Sequence, residues 1–415
     1  MTQSLDVTIP DTGFEAASPA VQRDPYPYYR WLLRNEPVHR GARGIWYVTR
    51  YADVRTVMSD PRYGRAGIRD FWAGLVGPGP LSEILRHTIM FQDDPDHGRL
   101  RAMIGPAFAP RRIRGLQRTI EKIVDDLIAP LARRGTMDVV NDVAYPLPLT
   151  VTAHLLGLPP ADRALLRSWS LGIAPTLDLA AGPAEIVRGQ QAMGEFVEYL
   201  RQALARRTRT GEPGADLLGV MLRATDGDDR RATVEEIISM AVTVVFAGHD
   251  TVTNLIGNGM LALLRHPGQL ALLRQQPDLI PNAVEEFLRY DSPVQSNSRY
   301  LTEDVAIGGR TMRRGELAVA LIGAANHDES VFAEPARFDV TRSNVQPMSF
   351  GAGMRLCVGA LLARLEARAA FGRLVRLADL RLAIDDEDLI YQRSTMFRGV
   401  EELPVSFTPE RGTAP

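Results

Sequence analysis

Apolar residues recur at three- and four-residue intervals through the middle of the chain, and this spacing predicts a long run of helices. Between residues 111 and 265 the pattern gives helices over 114–133, 149–156, 160–170, 184–207, 214–224 and 233–265. The breaks fall at glycine–proline clusters such as Gly157-Leu158-Pro159-Pro160 and Gly211-Glu212-Pro213-Gly214. Residues 177–184 read as a flexible connection. The 233–265 segment stands apart. A capping box, Thr233-Val234-Glu235-Glu236, opens it, and His266-Pro267 closes it. At 1.5 Å per residue it spans about 50 Å, and a helix so long and so apolar must run through a core.

The flanks read differently. Helical spacing covers Tyr26 to Asn35 and Tyr51 to Met58, with strand-like runs near Val38 and over 44–49 that suggest a hairpin. Residues 64–90 are rich in Gly and Pro and are expected to form a long loop carrying Phe71, Trp72 and Leu75. Asp94-Pro95-Asp96-His97 opens a helix, with acidic residues at its start as the dipole prefers. After the long helix come helices over 268–275 and 278–290, short strands over 294–322, and irregular chain over 326–349. A last helix over 358–377 and a short β-rich tail follow. Strands near both ends bracket a helical middle. The fold class expected is mostly α with a small β region, as one large unit over 25–415 preceded by coil over 1–24.

Composition narrows the function classes. Of 415 residues, 45% are hydrophobic and 24% charged, as in ordinary globular proteins. A net charge of −2 gives no reason to expect nucleic acid. Arginine supplies nearly all the positive charge, with Lys122 the only lysine. One cysteine excludes an intrachain disulfide and fits a reducing, cytoplasmic location. The N-terminal stretch lacks a basic then apolar leader pattern, and the longest apolar run, Met240 to Ala247, is too short to span a membrane.

That single cysteine lies in Phe350-Gly351-Ala352-Gly353-Met354-Arg355-Leu356-Cys357-Val358-Gly359, directly before a helical pattern. Amide N–H groups and the helix dipole favour a thiolate there. With no second cysteine, a zinc or iron–sulfur site of the usual kind is excluded, whereas one thiolate on the iron of a haem is chemically sensible. Inert packing is the ordinary fate of a lone cysteine, so other segments have to decide. Midway along the long helix, Ala247-Gly248-His249-Asp250-Thr251 interrupts an apolar stretch. Small residues there make room for a bulky planar ligand, and Asp250 and Thr251 set a carboxylate and a hydroxyl beside it for proton delivery. The alternative is a kinked helix with a back-bonded threonine. Glu286 and Arg289 form an i, i+3 pair, while His97 and Arg101 share a helix face. With Arg299 and Arg355 the last two bring basic groups from separate parts of the chain, suited to the two carboxylates of a haem.

Together these stretches resemble the cytochrome P450 family, the haem-thiolate monooxygenases. Four motifs carry the resemblance: Phe350-x-x-Gly353-x-Arg355-x-Cys357-x-Gly359, Ala247-Gly248-x-Asp250-Thr251, Glu286-x-x-Arg289, and His97-x-x-x-Arg101. The resemblance implies one large unit with haem between the long central helix and the Cys loop. It implies Cys357 as the axial metal ligand, with His97, Arg101, Ala247, Gly248, Arg299, Phe350, Arg355 and Gly359 around the cofactor. It implies Asp250 and Thr251 as the catalytic pair managing protons, and a structural Glu286–Arg289 pair locked by an arginine of the 335–338 segment or by Arg342.

The implied cofactor is haem b, iron protoporphyrin IX, with O2 as co-substrate and electrons ultimately from NAD(P)H. No flavin or nicotinamide domain is read in the chain, so a ferredoxin or flavodoxin with its reductase is the implied partner, and Arg111, Arg112 and Arg114 are candidates for its docking surface. No nucleic acid or membrane partner is expected, and the chain is expected to act as a monomer. The substrate expected is a medium-to-large apolar metabolite of polyketide or macrolide type. It is read by the 64–90 and 165–190 regions, Val242 to Phe246, Val294 to Asn297 and Met396-Phe397, with Gln295, Ser296 and Asn297 as the polar groups. Fatty-acid or terpenoid hydroxylation stays open, as do coupling, desaturation or rearrangement on the same haem.

Overall fold

The computed structural model describes residues 18–41, 43–177, 181–224 and 232–410. Two compact units emerge, each assembled from separated stretches of chain. One comprises Met1–Gly64, Val124–Tyr145 and Thr251–Pro415, the other Arg65–Ile123 and Pro146–Asp250. The long helix, Val234–Arg265, is continuous and contributes to both. The expected capping box starts it: Thr233 N–H donates to Glu236 Oε2 at 2.9 Å and Glu236 N–H to Thr233 Oγ1 at 3.1 Å.

The first unit holds every strand among the described residues: β1 (Val38–Arg40), β2 (Trp46–Val48), β3 (Tyr63–Gly64), β4 (Thr136–Asp138), β5 (Ser296–Leu301), β6 (Val305–Ile307), β7 (Arg310–Met312), β8 (Leu317–Leu321), β9 (Arg381–Leu382) and β10 (Pro404–Ser406). The main sheet runs β1-β2-β8-β5-β3. Only β2 and β8 pair parallel, and β5 sets Arg299 opposite Ala318 of β8. The helix Tyr51–Ser59 packs Val54, Val57 and Met58 on one face of this sheet, in the same apolar cluster as Met348 at the entry to the Cys loop. On the other face, Tyr29 and Leu32 of the helix Tyr26–Asn35 cover Tyr47, Val319 and Leu321. The expected hairpin forms as β1–β2, and the 294–322 segment supplies β5 to β8. The final helix is Ala360–Leu374.

Glu286 and Arg289 sit fully buried on the helix Ile280–Tyr290, with Arg289 Nε donating to Glu286 Oε2 at 2.7 Å and Nη2 to Oε1 at 2.8 Å. The arginine that completes the cluster is Arg342, 3.3 Å from Glu286 Oε2. Arg337 instead contributes its carbonyl to Arg289 and turns its own guanidinium outward to Glu334 and Asp339. A carboxylate ringed by two guanidiniums and the Asp339 N–H answers its burial, which an isolated charge could not withstand.

In the second unit the expected 64–90 loop is corrected. It contains two helices, Ala66–Val76 and Pro80–His87. Gly77 and the Gly79-Pro80 pair are the ends of those helices, and Ile68, Val76, Leu81, Ile84 and Leu85 are buried apolar faces at helical spacing. The expected 114–133 helix is Gln117–Ala132, preceded by a separate short helix, Pro110–Gly115. The expected 160–170 helix begins with a 3-10 turn at Pro160–Asp162 and continues as Arg163–Ile173. Part of the 177–184 connection, residues 178–180, lies outside the described residues, and the next helix runs Pro183–Thr210. Of the expected coil over 1–24, residues 1–17 lie outside the described residues, and Pro19–Arg23 is a helix capped by Ser18.

Two hydroxyls of the long helix, Ser239 and Thr243, are satisfied by its own backbone and by the helix Pro80–His87. Thr243 O–H donates to the Ser239 carbonyl at 2.7 Å, so the 2.7 Å bond between Thr88 and Thr243 has Thr88 as donor. Ser239 in turn donates to the Ile84 carbonyl at 2.9 Å. These bonds tie the helix Pro80–His87 to the long helix without leaving a buried hydroxyl proton unused.

Candidate active site

The Cys loop is built on the end of the helix Tyr51–Ser59. Gly351 and Gly353 have φ of +75° and +66°, in the left-handed region that favours glycine. A Cβ on Gly351 would lie 3.1 Å from Met58 Cε, and one on Gly353 would lie 2.7 Å from Ser59 Cβ. The loop thus lies directly against that helix: Gly353 has no room for a side chain, and at Gly351 the Met58 methyl would have to shift. Cys357 N–H closes the loop by donating to the Phe350 carbonyl at 2.9 Å. The thiol is exposed, and a Cβ on Gly359 would be 4.0 Å from its sulfur. The helix that follows begins at Ala360, so the sulfur is three residues from a helix N-terminus.

Phe350 is clamped by a pair that sequence reasoning missed. The Arg364 guanidinium lies 4.3 Å from its ring centre, held by Glu285 through bonds of 2.6 and 2.8 Å. An arginine in the first turns of a helix opposes the dipole, and that oddity was the available signal for a carboxylate partner.

Arg299, on β5, is 2% exposed. Its Nη1 bonds the Asn297 side-chain oxygen and, at 2.9 Å, the Ser298 carbonyl, while Nη2 lies 3.4 Å from Met58 Sδ. Met58 therefore touches both Arg299 and the Cys loop, a junction the sequence reading did not include. Arg355 is half-buried on the loop's second 3-10 turn, Gly353–Arg355. Gln295 and Ser296, expected as polar groups for substrate, are used inside the protein. Gln295 donates to the Ser292 carbonyl at 2.8 Å and Ser296 to the Thr395 carbonyl at 2.9 Å, and Asn297 holds Arg299.

The remaining candidates, apart from Thr251 of the first unit, lie in the second unit. His97 is buried in the first turn of Asp96–Ile104, with Nδ1 3.9 Å from Asp94 Oδ1, and Arg101 follows one turn later, half-buried. Asp93, just before them, accepts N–H groups from Arg65 and Ala66 at 2.9–3.0 Å and so anchors the start of Ala66–Val76. On the long helix Ala247 is exposed, with half-buried Phe246 and Gly248 on either side. A Cβ on Gly248 would lie 3.4 Å from Thr152 Oγ1 on Pro146–Leu156, an ordinary contact distance. His249 is buried and pairs with Asp250, whose side chain is 30% exposed. Thr251 is half-buried at the next position.

The donor set fits a haem. One accessible thiol at a helix start suits a single iron, a glycine beside it keeps the sulfur uncrowded, and a buried guanidinium suits a carboxylate. No group of three or more His, Cys, Asp and Glu able to hold a metal occurs among the described residues.

Comparison with known proteins agrees with this chemistry. Residues 183–400 match the family model for cytochrome P450. Cytochrome P450 107B1 of Saccharopolyspora erythraea is 41% identical over 90% of this chain and 93% of its own length. The cytochrome P450 monooxygenase PikC of Streptomyces venezuelae is 37% identical over 92% of this chain and 91% of its own. The crystal structure of CalO2 superposes with a TM-score of 0.92 at 52% identity, covering 96% of this chain and 99% of that one. Haem iron and O2, with reducing equivalents, are the reactants the family uses. No described helix is long and apolar enough to cross a membrane. The chain belongs to the cytochrome P450 family and is a haem-thiolate monooxygenase.

Proposed function

We propose that this enzyme binds haem b through the Cys357 thiolate and oxidises a medium-to-large apolar metabolite in a secondary-metabolite tailoring step. The observation that carries the reading is the Cys loop itself: an accessible sole cysteine, braced by two positive-φ glycines against Met58 and Ser59. When bound, the haem supplies O2 activation and insertion of one oxygen atom into a C–H bond or alkene. The chain's residues do the rest. His97, Arg101, Arg299 and Arg355 hold the propionates through charge-assisted hydrogen bonds. Phe350, fixed by Arg364, and Gly359 would border the thiolate, and Ala247 with Gly248 would supply small residues next to the cofactor. Asp250 and Thr251 hold and pass protons to the reacting oxygen, a role that supports hydroxylation or epoxidation over coupling. Thr251→Ala is expected to lower product formed per electron pair several-fold and to raise peroxide release. Unchanged coupling would remove Thr251 from the relay.

Electrons come from NAD(P)H through a separate ferredoxin or flavodoxin and its reductase in the cytoplasm. Arg111 and Arg114, both exposed, suit an acidic carrier, whereas Arg112 is committed to the Ala215 carbonyl. Apolar side chains support the substrate class: Phe71, Leu75, Met90 and Leu171 stand exposed in the second unit. The relatives' names point the same way, since 6-deoxyerythronolide B hydroxylase is 36% identical and the structure of TamI holds tirandamycin C. A fatty-acid reading has its own support in the structure of CYP267B1 with myristic acid. Titrating polyketide lactones and fatty acids against the ferric enzyme, with product analysis in a ferredoxin system, separates the two. A spin-state shift and hydroxylated product with lactones support the reading, and turnover of fatty acids alone overturns it.

A further inference from the structure

His249 is a buried imidazole that none of the roles above uses. It is 1% exposed, and its Nδ1 lies 2.9 Å from Asp250 Oδ1 and 3.4 Å from Ser170 Oγ on the helix Arg163–Ile173. Consecutive residues on a helix project about 100° apart and do not ordinarily face one another. The short contact therefore requires the Asp250 side chain to be turned sideways, onto the imidazole. A carboxylate oxygen only accepts, so a 2.9 Å contact with Nδ1 is matched by an N–H at that nitrogen. That bond selects one histidine tautomer and one carboxylate rotamer together.

We propose that His249 is a positioning residue for Asp250. It pins Oδ1 and presents Oδ2, on a side chain 30% exposed, as the oxygen that takes up and releases protons. Ser170 seats the ring from the neighbouring helix, and the nearly complete burial of the imidazole prevents water from replacing it as donor. The inference rests on the proton role proposed for Asp250 and adds the reason its carboxylate is aimed.

The test compares three substitutions in the haem-loaded enzyme. His249→Phe keeps a buried ring and removes the donor. His249→Asn sets an amide N–H where Nδ1 was, and His249→Gln sets one nearer the place of Nε2. Product per NAD(P)H is expected to fall several-fold in H249F and H249Q and to recover in H249N. A purely structural histidine would show recovery in the better-packed variant instead, whichever amide it carried. A second readout is independent of turnover. In histidine-15N-labelled protein, kept diamagnetic as the ferrous carbon monoxide form, the resonance lost in H249N is expected to be Nδ1-protonated and to change tautomer in D250A. An Nε2-protonated ring in the unmodified enzyme, or coupling unchanged in H249F, overturns the inference. Asp250→Asn is measured alongside. If D250N keeps full coupling, the proton role of Asp250 fails and this inference with it. If D250N uncouples while H249F does not, only the assignment of His249 fails.

Discussion

Single side chains decide whether the Cys loop can exist in this form. Gly353 has φ +66° and stands where a Cβ would meet Ser59 Cβ at 2.7 Å and Ser59 Cα at 3.0 Å. The obstacle is partly backbone, which cannot move aside as a flexible side chain would. Gly353→Ala is expected to cost about 1–3 kcal/mol, from left-handed strain plus overpacking, and to weaken haem retention. Urea denaturation and haem-transfer assays check this, and unchanged values would mean that the loop is not seated on Ser59. A second residue fixes part of the acid sensitivity. His327 donates Nε2–H to the Tyr290 carbonyl at 3.0 Å and stacks on Tyr26 with ring centres 4.4 Å apart. Burial, reinforced by the Arg289 charge, pushes its imidazole from 6.5 down to about 3. Between those values the unfolded chain binds a proton that the folded chain refuses. The stabilisation is complete above about 6.5 and declines as pH falls toward 3. From pH 7 to pH 5 this amounts to about 2 kcal/mol. His327→Gln should flatten that part of the curve, read from urea midpoints at the two pH values; an unaltered slope would contradict it.

Elements are positioned by buried ion clusters that short motifs only hint at. The helix Ile280–Tyr290 is fixed through Glu286, whose carboxylate receives Arg289, Arg342 and the Asp339 N–H. Glu286→Gln would leave two guanidiniums with one formal charge fewer to answer them. A loss of about 3–5 kcal/mol is expected, as when one partner of a buried pair is removed. Denaturant unfolding checks it, and a loss below 1 kcal/mol would mean that the cluster relaxes by rehydration. The same scale shows what could be read from sequence. The long helix was legible because its periodicity, its capping box and its closing His266-Pro267 all agreed. Ala66–Val76 and Pro80–His87 were not, because glycine and proline at helix ends look the same as glycine and proline in a loop. Glu286 with Arg289 was visible at i, i+3, yet Arg342 over Arg337 depends on a fold of the 326–349 segment that has no period.

At the scale of the whole molecule, each compact unit is assembled from stretches that lie far apart in the chain. The candidate groups stood out in the sequence because their chemistry is unusual: a sole cysteine among glycines, and an acid and an alcohol inside an apolar helix. Their supports were not. Met58, Ser59, Glu285 and Arg364 are ordinary residues whose importance comes only from what they touch. The central claim is that Cys357 ligates the haem iron, and one spectrum tests it most directly. The haem-loaded enzyme is reduced under carbon monoxide and its difference spectrum recorded. The account predicts the strongly red-shifted Soret band of a thiolate-ligated iron, lost in Cys357→Ala. A band at the position of a histidine-ligated globin, or one that survives the substitution, would contradict it.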